Sequence, residues 1–398
     1  MTVATELEIV DLRHFSALQL RPLLETEARV WQQRLRWNYQ SSTELLLQYL
    51  DSRILPGFVA LDHGRICGFS FCVYEGHKAV IGDAYAIAPG NDPAQALHIT
   101  QTLLHHLLQL LLHSPTIDRV ESQLLLYEAG TIEPSFLQAG FTMYPRLFME
   151  YNFPPDLGAA PTTTLSAAPP SYLTAAPATP ATPVIPTALD SAPAPPAAPA
   201  TLIAPATLVT PVTRTAPPVS VGAAAPAATS APPLPRLTLP SNIALSGWTS
   251  NLYQAAAELI HESYTGHIDA RINDQYCSLH GSLRFLHNIV RFPGCGVFEA
   301  EQSWVLREKT RGALVGIVLC SRVAEDVAHI TQLCIAPSYR GAALGRILLR
   351  HCISQLPQSG FKAITLTVTE ANRQAVKLYE DLGFFTRHRF DAMVLDKT

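Results

Sequence analysis

The sequence contains no C-x-x-C pair, no apolar run long enough to cross a bilayer and no excess of basic charge. Each absence removes a class of function. The 28 Lys and Arg stand against 32 Asp and Glu, a net charge of −4, so no global positive field points to nucleic acid. The most apolar run, Ile99 to Leu112, is broken by Gln101, His105, His106 and Gln109. It is also shorter than the ~20 residues a spanning helix requires, so it reads as an amphipathic or core helix and no membrane partner is expected. Seven cysteines, an odd number, fit a reducing compartment. Cys67 with Cys72, and Cys277 with His280, lack a second ligand pair at zinc-type spacing, so these are small buried thiols and no metal is expected. The first residues, Met-Thr-Val-Ala-Thr-Glu-Leu-Glu, are acidic where an export signal is basic. The expected location is cytoplasmic.

Charge is scarce in the middle of the chain. Residues 154–240 hold 22 of the 32 prolines but only four charged residues, Asp156, Asp190, Arg214 and Arg236, with Ala and Thr filling most of the rest. Proline removes amide donors and breaks helices, and Ala and Thr bury little area, so no core can form there. The expectation is an extended, partly polyproline-II linker between two folded units, 1–153 and 241–398. Aromatic or basic anchors beside a P-x-x-P core are missing, which argues against a ligand for proline-binding modules.

The two flanking units resemble each other. Gly68-Phe-Ser-Phe-Cys-Val leads to Ala84-Tyr-Ala-Ile-Ala-Pro89, and Gly316-Ile-Val-Leu-Cys-Ser leads to Gln332-Leu-Cys-Ile-Ala-Pro337, over the same number of residues. Further on, Phe136 to Phe141 followed by Met149 parallels Tyr379 to Phe384 followed by Met393. A tandem duplication explains this economically.

The chemistry is concentrated in the second unit. Gln332 to Ile335 reads as a buried strand, Arg340 to Gly345 as a turn of small residues carrying one cation, and Leu344, Ile347, Leu348, Cys352 and Leu356 as the apolar face of a helix closed by Pro357 and Gly360. A small-residue turn before a helix lets backbone amides converge on an anion, and the helix dipole adds to the attraction. A diphosphate is the natural guest. Phe361 to Val368 alternates as a strand half-covered by a helix, and Asn372 then caps a second helix ended by Gly383.

Two of these segments resemble the GNAT N-acetyltransferase superfamily. Arg340 and Gly345 fit its Arg/Gln-x-x-Gly-x-Gly/Ala pyrophosphate loop, with Ala343 where the first Gly usually sits. Asn372, Ala375, Leu378, Tyr379, Gly383 and Phe384 match its Asn-x-x-Ala-x-x-Leu-Tyr-x-x-x-Gly-Phe segment at every marked position. The resemblance implies an α/β fold with a mixed sheet, in two GNAT-like domains, and acetyl-CoA as co-substrate. Leu333, Cys334 and Ile335 would offer backbone groups to the pantetheine arm. Arg340 with Gly341, Ala342, Ala343, Leu344, Gly345 and Arg346 would hold the diphosphate, and Asn372 would cap its helix, touch the cofactor or do both. Tyr379 would be the general acid for the departing thiolate, since a phenol near ~10 can protonate a thiolate near ~8.5.

The resemblance leaves the base open. Many members carry a Glu where this chain has Thr367, so His329, Glu370 or a water chain must serve. Asp269 and Asp274 lie where such domains form the acceptor site and would attract an ammonium. The first unit has Asp92 and Pro93 in its turn and Phe136 in place of Tyr379, so it reads as a degenerate copy. Its Trp31, Trp37 and Tyr39 suit either an acceptor pocket or a helix core. The expected activity is direct transfer of acetyl to a primary amine, small or on a protein. A non-catalytic acyl-CoA-binding or scaffold role is the alternative, favoured by the missing Glu and opposed by Tyr379. Oligomeric state does not follow from these residues.

Overall fold

A computed structural model of the chain describes residues 7–154, 238–291 and 296–397. The proline-rich stretch expected to be a linker falls almost wholly at 155–237, outside the described residues. The first half runs β1 (Leu7–Asp11), α1 (Ala17–Leu35), α2 (Gln40–Asp51), β2 (Gly57–Asp62), β3 (Arg65–Glu75) and β4 (Lys78–Ala86), then α3 (Pro93–Leu112), β5 (Arg119–Ser122), α4 (Glu133–Gln138) and β6 (Thr142–Asn152). The second runs β7 (Ile243–Gly247), α5 (Tyr253–Tyr264), α6 (Asp269–Ile272), α7 (Leu279–Arg291), β8 (Val297–Phe298), β9 (Trp304–Glu308) and β10 (Leu314–Ala324). It continues through β11 (Val327–Ile335), α8 (Leu344–Gln355), β12 (Ala363–Thr369), α9 (Arg373–Glu380) and β13 (Phe385–Asp396). The Leu-rich run forms the body of α3, which buries Ile99, Leu103, Leu104, Leu107, Leu108 and Leu111, four of them at helical spacing along one face. Among the described residues no helix is long and apolar enough to cross a membrane.

All of these strands join one mixed sheet, in the order β1-β2-β3-β4-β5-β13-β6-β12-β11-β10-β9-β7, with β8 beside β10. The order departs from the chain order at the centre. The outer neighbour of β5 is not β6 but β13, through Met393↔Ser122 to Asp396↔Arg119, while β6 lies against β12 through Ala363↔Asn152 to Thr369↔Arg146. Each half therefore donates its last strand to the other, and the two donated strands pair with each other. Sheet membership thus crosses the boundaries read at 153 and 241.

The exchange is held by packing on both faces. Phe148 and Met149 of β6 and Phe390 and Met393 of β13 are at most 1% exposed. Burying each such side chain contributes about 1.5–3 kcal/mol. Glu150 of β6, also buried, takes Arg36 at 3.0 Å and Arg387 at 2.8 Å, one guanidinium from each half. Removing either partner would strand buried charge.

Both halves repeat one irregularity. The parallel ladder of β4 with β5 runs from Lys78↔Arg119 to Ile81↔Ser122, and that of β11 with β12 from Val327↔Ala363 to Ile330↔Leu366. Each stops there, although β4 and β11 continue for five more residues to Ala86 and Ile335. A bulge in the preceding antiparallel ladder, at Phe71/Cys72 and at Leu319/Cys320, accompanies each opening. Of the six described cysteines only Cys277 is exposed; Cys320 and Cys352 place their sulfurs 3.4 Å apart in the core.

Because β6 and β13 are exchanged, a cut in the connecting segment leaves each fragment holding a strand of the other's sheet. Protein nicked at a protease site engineered within 155–237 should elute from a sizing column as one species under native conditions and separate only in denaturant. Two separate native species would contradict the exchange.

Candidate active site

Beyond Ile330↔Leu366 the facing edges of β11 and β12 diverge, so Leu333, Cys334 and Ile335 present one edge to β10 and the other to a cavity of about 840 Å³. That is towards the upper end of the ~300–1,000 Å³ usual for ligand sites. The turn after β11 closes one end. Arg340 is extended, Gly341 has φ 82° and Ala343 has φ 56°, which starts α8 from the left-handed region. A side chain at Gly341 would meet no atom within 4 Å, so glycine serves there for its backbone angle alone. Ala343 fits the same region at a cost of about 1 kcal/mol. The first-turn amides of α8, from Leu344 to Arg346, lack partners within the helix and form a cradle for an anion.

The Arg340 guanidinium is already engaged: Nη2 donates to Ser263 O at 2.6 Å and Nε to Ile335 O at 3.3 Å. It braces the turn against α5 and β11 while leaving its charge at the mouth of the cradle. Arg346 binds Asp381 at 2.6 Å, and Lys377 binds the same carboxylate at 3.1 Å. Hydrogen bonds from these two cations hold Asp381 below the usual carboxylate range.

Four elements converge on the opposite side of the opening. Asp269 at the start of α6 accepts a hydrogen bond from Thr369 Oγ1 at the end of β12, and its other oxygen lies 3.5 Å from His267 Nδ1. Asn372 Oδ1 accepts from Ala375 N at 3.2 Å, capping α9, while its Nδ2 lies 3.3 Å from His267 Nε2. The backbone N–H of Asp269 donates to His267 Nδ1 at 3.2 Å, so the imidazole is held on one side by Asp269 and on the other by Asn372. Tyr379 on α9 is 8% exposed, and burial with the nearby Asp269 charge pushes its phenol above the ordinary value. Asp269, His267, Asn372 and Tyr379 all line the cavity. His267 was not singled out from sequence; its only signal was a position two residues before Asp269.

Three expected residues sit elsewhere or in another state. Glu370 does not line the cavity; its carboxylate binds Arg389 at 2.6 Å. Asp274 does not line it either, because its carboxylate is taken by the buried ammonium of Lys78, which also lies 3.3 Å from Glu121 and 3.4 Å from Glu75. Burial opposes the Lys78 charge, yet Glu121, Glu75 and Asp274 together hold its pKa above the ordinary lysine value. An internal cation thus occupies the carboxylate expected to meet an external one. His329 does line the cavity but is buried, its Nδ1 is 2.9 Å from Thr365 Oγ1, and burial with the charge of Arg146 lowers it to about 3. The exchanged strand covers it, with Phe148 stacked 5.7 Å away and Trp37 at 5.1 Å, so the candidate base lies under the sheet's aromatic cover and not at an open surface.

The first half supplies the far wall. Trp31, Trp37 and Tyr39 line the cavity, and Trp31 and Trp37 are also core, with Tyr39 packed against them. Arg36, with φ 55°, turns the chain out of α1, and Tyr39 returns to stack on Trp31 at 4.2 Å. Behind them lie two buried carboxyl groups. Trp31 Nε1 donates to Glu27 Oε1 at 3.2 Å, and the backbone amide of Ala84 to Asp83 Oδ1 at 2.8 Å. Burial, and then the neighbouring Asp83, raises Glu27 well above the usual range; burial also raises Asp83, against hydrogen bonds from Glu27 and Ala84. Burial and their mutual proximity thus favour uptake of a proton by the pair.

Comparison with known proteins bears on the same region. Residues 267–384 match the Acetyltransferase (GNAT) family. Mycothiol acetyltransferase of Thermomonospora curvata is 33% identical over 102 residues, 26% of this chain and 31% of that protein. The ribosomal protein bS18-alanine N-acetyltransferase of Escherichia coli K12 is 33% identical over 75 residues, 19% of this chain and 51% of that protein. The chain thus spans about a third of the length of the first relative and about half of the second. A GCN5-related N-acetyltransferase from Sphaerobacter thermophilus aligns over 100% of both chains with a TM-score of 0.54 at 11% identity, a likeness of fold.

The carboxyl pair makes stability depend on pH. Its folded-state affinity for the proton exceeds that of the unfolded chain, so its contribution is complete below the ordinary carboxylate pKa and is lost as pH rises through the raised one. For one such proton the slope reaches about 1.4 kcal/mol per pH unit. Glu27→Gln keeps the shape of the side chain and an acceptor for Trp31 Nε1 without titrating, so urea midpoints measured from acid to alkaline pH should fall less steeply than in the wild type. Parallel curves would show that the pair holds no proton.

Proposed function

This chain carries a GNAT-family acetyltransferase domain in its second half, and on that premise we propose that it is an acetyl-CoA-dependent N-acetyltransferase acting on a primary amine by direct transfer. The observation that carries the reading is the end of the β11–β12 ladder at Ile330↔Leu366, after which β11 runs on to Ile335 and into the turn that starts α8. It puts an unpaired strand edge and a cradle of helix amides beside one cavity, as an acyl chain joined to a diphosphate requires. The open edge from Leu333 to Ile335 takes the pantetheine arm, and the amides from Gly341 to Arg346 take the diphosphate. Strand amides polarise the thioester carbonyl. Acetyl-CoA is supplied in the cytoplasm, where we place the reaction.

The acceptor amine approaches from the side of Asp269 and His267. Of the cavity's two histidines, His267 is the better placed to take a proton, because it sits between Asp269 and Asn372 beside the opening, while the burial of His329 opposes charge there. As nitrogen bonds to the acetyl carbon, the carbon–sulfur bond breaks. The amine proton passes to His267 and the Tyr379 proton to sulfur. Burial raises the phenol, but it equally raises a thiolate left beside it, so the two remain matched. The first half contributes the wall of Trp31, Trp37 and Tyr39 and no second cofactor cradle, since Asp92 caps α3 through Ala94 N and Pro93 supplies no amide.

Tyr379→Phe keeps the ring and its packing and removes only the proton. We expect kcat to fall about 10²–10⁴-fold with acetyl-CoA affinity nearly unchanged. An unchanged kcat, measured where chemistry limits turnover, would remove Tyr379 from the mechanism.

A further inference from the structure

We infer that the acceptor is a small amine bearing a carboxylate close to its nitrogen, as in a free amino acid, and that Arg146 recognises that carboxylate. The inference rests on the acetyltransferase reading and adds the substrate class. Arg146 belongs to β6, the strand the first half donates, and its side chain lines the cavity. Its Nε is buried with no hydrogen-bond partner, and among the described residues the side chain makes no ion pair. The other cations at the cavity are engaged. Lys78 sits among three carboxylates, Arg346 and Lys377 share Asp381, and Arg340 is bound to two carbonyls. The side chain is half-buried, so a guanidinium with its Nε buried and unpaired is only partly solvated, and an anion from outside the chain would satisfy it.

The position of Arg146 fixes what the anion must be attached to. Arg146 is the register partner of Thr369, so their side chains leave the same face of the sheet about 5 Å apart. The Thr369 hydroxyl in turn holds Asp269, which faces His267 and influences Tyr379. The group that attracts an ammonium and the group that attracts an anion therefore flank the same patch one strand apart, beside the opening that admits the acetyl group. A zwitterion with its charges a few bonds apart satisfies both. The amine of a peptide N-terminus or a lysine side chain within a protein carries no carboxylate at that distance.

The test compares common free amino acids with their carboxamides, which have the same shape without the charge, on the full-length wild type, Arg146→Gln and Arg146→Lys. Wild type should favour the amino acid by about 10–100-fold in kcat/KM, the worth of a charge-assisted pair. Arg146→Gln should lose that preference through a higher KM for the amino acid, with the carboxamide's kcat/KM and the acetyl-CoA affinity unchanged. Arg146→Lys should recover part of it, and carries the comparison if Arg146→Gln does not fold. Equal use of amino acid and carboxamide by wild type, a preference that survives in Arg146→Gln, or faster acetylation of peptides overturns the inference. Calorimetry with acetyl-CoA separates the two levels. Binding without turnover of any free amino acid removes the substrate class alone, whereas absence of binding removes the acetyltransferase reading with it.

Discussion

The pairing of β6 with β13 at the centre of the sheet is the constraint on which the rest of this structure depends. Each strand is the last of its own half and an interior strand of the other's sheet, buried on both faces by Phe148 and Met149 on one and Phe390 and Met393 on the other. A strand in that position cannot slip by one residue without turning its apolar set the wrong way, so the register between the halves is strongly specified. The Glu150 carboxylate, held by Arg36 and Arg387, adds a charge that is satisfied only when both halves are in place.

The cavity follows from this pairing. With β6 beside β12, residues of the first half reach the opening between β11 and β12, and one space is lined by Trp37 and Arg146 from one half and by Asp269, Asn372 and Tyr379 from the other. The second network between the halves, Lys78 with Glu75, Glu121 and Asp274, fixes the segment after α6 against β4 and β5. Buried charges of this kind add little net stability but penalise every arrangement that separates them. The position of α6, and with it of Asp269, is thereby tied to the first half.

The two halves hold the same opening, and they differ in local chemistry. In the second half Gly341 and Ala343 adopt left-handed backbone angles and free the first amides of α8. In the first, the Asp92 side chain caps α3 itself through Ala94 N, and Pro93 takes the first helical position. The carboxylate that fills the anion's place is an internal one. The first half has become a wall of the site, with its own strand opening turned to the same cavity.

Much of this was legible along the chain. The turn from Arg340 to Gly345, the helix after it, the cap at Asn372 and the likeness of the halves are local patterns, set by propensity, periodicity and backbone angle within a dozen residues. The sequence alone thereby determined the fold class, the turn that frees the first amides of α8 and the position of Tyr379. It did not determine which strands pair across the halves, because β6 and β13 are equally good neighbours for β5 by composition and only three-dimensional packing chooses between them. For the same reason the chain could not reveal that Asp274 would meet Lys78, that His329 would be buried under Phe148, or that Arg146 would stand beside Thr369. Those outcomes join residues between 181 and 223 positions apart, and a carboxylate, imidazole or guanidinium takes its charge state and its partner from the side chains that tertiary structure sets around it.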